Sequence, residues 1–295
     1  MRWATNMRGV LAALLLCSLP GVVGAHDFWV EPSSFQPLAG ERVNIGLCIG
    51  DPFAGWSMAR NAQRIEQFIA SGPPGEQAIV GVDGIDPAGV TRFTAAGVYV
   101  IGYRSNRAFT ELPGSKFDDY LTEKGLDKIV ALRRRSGAIS VAVREAYSRY
   151  AKSLLRVGVD GSDSARGVGD RALGFRLEIV ADDRSSADRR SGDYSFRLLF
   201  EGKPLSGTLV KAVWRNMPQR AIETRTDATG RAKFVLTTAG DWLIAAVHML
   251  KAPADVAADW ESLWASLTYQ VPGSGHKAAT ICDSRNSQLV LKTRP

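Results

Sequence analysis

The chain has 295 residues, 45% of them hydrophobic, with 37 Lys and Arg against 30 Asp and Glu and a formal net charge of +7. That apolar share supports real cores and about two domains, and excludes a disordered chain. The positive residues are scattered apart from Arg133-Arg134-Arg135, which reads as a solvated helix face, and no aromatic interleaving points to nucleic acid.

The first residues carry only positive charge, at Arg2 and Arg8; an apolar run from Val10 to Leu19 ends at Pro20, and Val23-Gly24-Ala25 supplies small residues. This is the pattern of a signal peptide over 1–25, cleaved after Ala25, and it predicts a periplasmic or secreted protein. The apolar run is too short for a bilayer anchor, and no later stretch is long and apolar enough to span a membrane. Cys17 follows Leu16 where a lipoprotein site needs a small residue. Loss of the two arginines lowers the net charge to about +5. Cys48 and Cys282 remain; in an oxidising compartment they either pair or stay as isolated thiols.

From His26 to about residue 115, short apolar and β-branched runs punctuated by Gly and Pro predict a first β-sandwich, with strands at Asp27–Val30, Arg42–Cys48, Ala78–Val82, Thr91–Thr94 and Tyr99–Arg104. From 116 to 157 Pro nearly vanishes, and Ile139, Val143, Tyr147, Tyr150 and Leu154 recur at helical spacing, which predicts an inserted helical hairpin. The stretch 158–193 is polar and Gly-rich, a linker with one strand at Leu173–Val180. From 194 to 271 alternation resumes in Ser195–Glu201, Thr208–Arg215, Ala232–Thr237 and Trp242–Met249, with a turn at Asp227-Ala228-Thr229-Gly230. This predicts a second β-sandwich, followed by a C-terminal tail over 272–295. The expected fold is therefore mainly β, with two Ig-like or carboxypeptidase-regulatory-like sandwiches.

Only three histidines exist: His26, His248 and His276. Cleavage after Ala25 makes His26 N-terminal, so that its free amine and ring Nδ1 can chelate one metal ion. An unperturbed α-amine has a pKa of about 7.7 to 8 and yields its proton to a metal near neutral pH. A second imidazole would complete a three-nitrogen set suited to Cu(II), Ni(II) or Zn(II). His248 is the candidate, near the end of the Trp242–Met249 strand and, by alternation, on the face of Ala246, Ile244 and Trp242. The structural alternative is that each histidine is a packed or hydrogen-bonded residue; His276 lies in a Gly-Ser-rich loop and is the weakest ligand candidate. No phosphate loop, nucleophile elbow, C-x-x-C or H-E-x-x-H motif occurs. Asp118-Asp119 and Asp182-Asp183 read as solvated pairs, and Trp29, Trp214 and Trp242 as core.

The start of the mature chain, Ala25-His26-Asp27-Phe28-Trp29-Val30-Glu31-Pro32, together with Tyr147 to Lys152, Leu177 to Val180, Gly202 to Gly207, Thr226 to Arg231 and Gly240 to Leu243 leading to His248, resembles a family of exported bacterial proteins of unknown function. Its members are labelled periplasmic components or accessory proteins of nickel/cobalt uptake. The resemblance runs to about Val271 and implies two β-sandwich domains, metal ligands at His26 and His248, a divalent transition metal ion (Ni, Co, Cu or Zn) as cofactor, and an inner-membrane metal importer as partner. The leading expectation is a periplasmic metal-binding protein accessory to nickel, cobalt or copper uptake or delivery, with enzymatic activity left open. The alternatives are a copper-dependent oxidative enzyme with an N-terminal histidine site, and a structural or adhesive protein without metal.

Overall fold

The computed structural model describes residues 26–158, 169–182, 192–271 and Cys282. In chain order the first strands are β1 (Asp27–Pro32), β2 (Arg42–Gly50), β3 (Trp56–Met58), β4 (Ile65–Gly72), β5 (Gly75–Ala78), β6 (Gly89–Arg92), β7 (Gly97–Ser105) and β8 (Ala108–Leu112). Two helices follow, α1 (Gly114–Glu123) and α2 (Asp127–Arg135). Then come β9 (Val143–Val157), β10 (Leu177–Ala181), β11 (Asp193–Phe200), β12 (Lys203–Pro204), β13 (Leu209–Trp214), β14 (Ala221–Arg225), β15 (Arg231–Val235), β16 (Gly240–Lys251) and β17 (Trp260–Val271). The protein is mainly β, as its sequence predicts.

The strands of the described residues form three sheets. A nine-stranded sheet has the order β14-β13-β16-β17-β9-β7-β4-β5, with β8 also on β9; a four-stranded sheet holds β1-β2-β3 with β6 on β2; a second holds β10-β11-β12 with β15 on β11. Neighbours are antiparallel except β17 and β9, which run parallel from Trp260↔Glu145 to Thr268↔Ser153.

The two small sheets cover opposite faces of the large one, and side-chain alternation shows how. Val98 and Val100 of β7, Tyr150 and Leu154 of β9 and Leu263, Ala265 and Leu267 of β17 join a core with Leu177, Ile179, Phe196 and Phe234 of the second small sheet. The intervening Tyr99, Ile101 and Tyr103 of β7 and Ala151, Leu155 and Val157 of β9 join a different core with Phe28, Val30, Val43, Ile45 and Leu47 of the first. Two sandwiches are present, but they share their middle layer, because one sheet runs through both halves of the chain. The expected boundary between separate domains over 26–115 and 194–271 is therefore replaced by a common sheet.

The helical expectation for 116–157 holds only for its first half. α1 and α2 form the hairpin, but Val143–Val157 is the longest strand among the described residues. The physical reason is burial on both faces: a strand covered on each side carries apolar residues at both parities, so period two disappears from the sequence. Val143, Tyr147, Tyr150 and Leu154 happen to fit a 3.6-residue repeat, while Ile139, expected on the same face, is exposed. The hairpin buries Phe117, Tyr120, Leu121 and Ile129 against Val247, Met249, Trp260 and Trp264 of the central sheet, at the i, i+3, i+4 spacing of an amphipathic helix. Within the Arg133-Arg134-Arg135 run, Arg133 is buried rather than solvated: it pairs with Asp118 at 2.8 Å and lies over the Phe117 ring. Asp118 is accordingly engaged rather than solvated.

Candidate functional site

His26 stands at the head of β1, where Asp27 pairs with Gly50 of β2. Asp27 is anchored from the side by Lys124, whose Nζ lies 3.1 Å from Oδ2. A small cleft beside this pair is lined by Asp27, Lys124, Leu209, Lys211 and residues Ala245 to Val247 of β16. Burial pushes the Asp27 carboxyl above its ordinary range, while the Lys124 charge pulls it back. The His26 ring meets Trp56 edge-on, with centroids 5.3 Å apart. Trp56 is brought there by a tight turn between β2 and β3 that needs glycine: a Cβ on Gly55 would run into the Ile49 carbonyl and the Trp29 ring, and Gly50 has φ +133°.

Behind this edge lies a buried network that sequence reading missed. Glu31 is fully buried and accepts hydrogen bonds from Trp29 Nε1 (2.8 Å) and from Arg215, which also bonds Asp241 at 2.9 Å. Arg215 lies over the Phe53 ring, 4.2 Å from its centroid. Burial pushes the Glu31 carboxyl up, and Arg215 opposes this. Cys48 is disulfide-bonded to Cys282 beside them. Glu31, Cys48 and Cys282 form a group of three potential metal donors within 4.8 Å of one another, but a disulfide offers no thiolate, so the set does not fit a metal while the bond is intact. The signal available in the sequence was the alternation Trp29, Glu31 opposite Cys48, which places a carboxylate on a buried strand face.

Arg215→Ala leaves Glu31 buried without its cation and is expected to destabilise the protein by about 3 kcal/mol. Denaturant unfolding measures this; an unchanged midpoint and slope would show that water already serves Glu31.

The structure does not bring His248 to His26. Val247 and Met249 of β16 face the helical hairpin, whereas Ile244 and Ala246 belong to the opposite core. His248 follows that second parity and packs on Phe200 of the second small sheet, centroids 4.8 Å apart. The alternation expected along Trp242–Met249 is present, but it aims His248 at the layer on the far side of the sheet from β1. The paired site of His26 and His248 is thus not assembled, and His276 lies outside the described residues.

Burial lowers the His248 pKa below 6.5, helped by the positive charges of Arg176 and Lys128 and opposed by Glu201. The folded state therefore binds the imidazole proton less readily than the unfolded chain. Stability from this residue is complete above the unfolded pKa and is lost as pH falls through it toward the lower folded value. Acidification across that window is expected to lower the unfolding midpoint of the wild type more than that of His248→Gln; equal losses would contradict the assignment.

A family profile described as "Domain of unknown function (DUF4198)" matches residues 23–250. The chain belongs to this family. The DUF4198 match spans both His26 and His248 but ends before β17, although that strand sits between β16 and β9 in the central sheet. No curated protein matches the chain. Among solved structures the DUF4198 protein is similar to one titled "D0-D1 domain of Intimin", at 14% identity and a TM-score of 0.19, over 83% of this chain and 98% of that one. Among the described residues no helix is long and apolar enough to cross a membrane.

Proposed function

We propose that the processed chain is an exported transition-metal-binding protein that takes its ion at the new N-terminus, through the α-amine and ring Nδ1 of His26. The observation that supports this is the anchoring of the terminus. Asp27, the next residue, is held by β1–β2 pairing and by Lys124, so the amine and the ring start from a fixed point beside Trp56. A preorganised bidentate pair binds with less ordering entropy than a frayed terminus. Nitrogen donors of this kind suit Cu(II), Ni(II), Zn(II) or Co(II). Two protein donors leave the other coordination positions to water or to an incoming ligand. An ion so held can be passed on, which fits accessory service to a nickel, cobalt or copper importer better than storage.

His248 is not part of this site. A copper-dependent oxidative enzyme would need a third nitrogen, which His248 does not supply. The metal-free structural reading draws support from the aromatic contact that each ring already makes, His26 on Trp56 and His248 on Phe200. Calorimetric titration of correctly processed protein with Cu(II) and Ni(II) separates the readings. His26→Ala is expected to abolish tight binding and His248→Ala to leave it unchanged. Binding by His26→Ala at wild-type affinity would overturn the proposal and favour the structural reading.

A further inference from the structure

Lys152, near the middle of β9, is 1% exposed and points into the core shared with the second small sheet. Its Nζ lies 2.8 Å from Asp170 Oδ1, which is fully buried, and 3.1 Å from Glu178 Oε1, which is 2% exposed. Nζ also donates to the carbonyls of Arg171 (2.8 Å) and Ile179 (3.1 Å). The site is built to close tolerance. Gly102 of β7 pairs with Lys152 across the ladder, and a Cβ there would strike Leu173 and Phe175, so its bareness lets the segment from Asp170 to Phe175 settle directly over the lysine. Glu178 is fixed by backbone N–H groups of Leu173 (2.6 Å), Gly174 (3.1 Å) and Phe175 (3.1 Å). Asp170 Oδ2 accepts the Ala181 N–H at 2.8 Å.

One ammonium with two carboxylates, all buried, is an expensive way to hold two layers together, because desolvating three charges offsets their attraction. The same geometry offers a reaction that removes two of them. We propose that Lys152 and Asp170 condense in the folded chain to an intramolecular amide, with Glu178 as the proton carrier. A proton passes from the ammonium to the Asp170 carboxylate, leaving a neutral amine and a carboxylic acid. Burial helps the Asp170 side of that exchange, since it pushes this carboxyl up against the pull of Lys152. The amine lone pair attacks Cγ and the Nζ–Cγ bond forms. Negative charge develops on Oδ2, where the Ala181 N–H already points. Glu178 takes a proton from Nζ and delivers it to Oδ1, and the Cγ–Oδ1 bond breaks as water leaves. The products are one amide and one water, with no oxidant, cofactor or partner required. Holding nucleophile and carboxyl in contact supplies the effective concentration the step needs. The bond would clamp the central sheet to the edge of the second small sheet.

The test is the intact mass of folded, processed protein after disulfide reduction and denaturation. The expected mass is one water below that of the sequence, and proteolysis should release a branched peptide joining Lys152 to Asp170. Lys152→Met should show the full mass. Asp170→Asn should form the same amide with loss of ammonia instead of water, a signature that a merely structural ion pair cannot produce. Glu178→Gln should slow condensation by at least about 100-fold, leaving full-mass chain with an unchanged β-sheet spectrum. Full mass in the wild type, or a water loss without the branched peptide, would overturn the proposal. Condensation of Glu178→Gln at the wild-type rate would overturn the role given to Glu178.

Discussion

A chain ending at Lys251, just past the end of the family match, is expected not to fold. β17 is wedged between β16 and β9 and pairs with β16 from Gly240↔Val271 to Lys251↔Trp260. Removing it would leave two inner strands with unpaired backbone groups. It would also withdraw Leu263, Ala265, Leu267 and Tyr269 from one core and Trp260 from the hairpin core. Burial of each large apolar side chain contributes roughly 1.5 to 3 kcal/mol, so the loss is on the order of 10 kcal/mol, comparable with the whole stability of an ordinary domain. Glu261 on the same strand also ties two distant segments, through Arg107 at 2.7 Å and Arg176 at 2.8 Å. Circular dichroism and proteolysis of the truncated chain measure the effect. A cooperatively folded product would show that β17 is dispensable and that the shared-sheet description is wrong.

A chain ending at Val271 keeps β17 and loses, among the described residues, only Cys282, so it addresses the second large effect. The Cys48–Cys282 bond spans a sequence separation of 234. In the chain-entropy description, closing a loop of that size stabilises by on the order of 5 kcal/mol. The bond also packs with Trp29 and Leu243, where β1 meets β16. Reduction, or Cys48→Ser, should therefore lower stability by about that amount without abolishing the fold, and the chain ending at Val271 should match the reduced protein. Denaturant titration with and without a dithiol reductant checks this. Identical midpoints would mean that the two sulfurs do not constrain the unfolded chain.

The strands around Trp29, Tyr99, Val213 and Trp242 were legible from alternation and turn residues, and so was the hairpin near Lys116. The failure at Val143–Val157 has a definite cause: a central strand with cores on both faces has no polar face to mark its period. The shared sheet was illegible for a related reason. Nothing local to β9 or β17 announces that they pair in parallel across more than a hundred residues, since register between distant strands is set by packing rather than by neighbouring sequence. At the candidate site, the sequence identified His26 by its place after Ala25 and identified the face of His248 correctly. It could not say which layer that face meets. Glu31, Arg215, Asp170 and Glu178 looked like ordinary charges because burial, which gives them their chemistry, depends on the third dimension.

The proposal that a metal ion binds at a free His26 amine is tested most directly by comparing two proteins that differ at one point, the processed chain beginning at His26 and the same chain carrying one extra glycine before it. The extra residue turns the amine into an amide and leaves only the ring as donor, without touching the β1–β2 ladder. Titrated with Cu(II) or Ni(II), the processed chain should bind tightly, with affinity falling as acid competes with the metal for the donor nitrogens, and the extended chain should bind far more weakly. Equal affinity in the two proteins would place the ion somewhere other than the N-terminus.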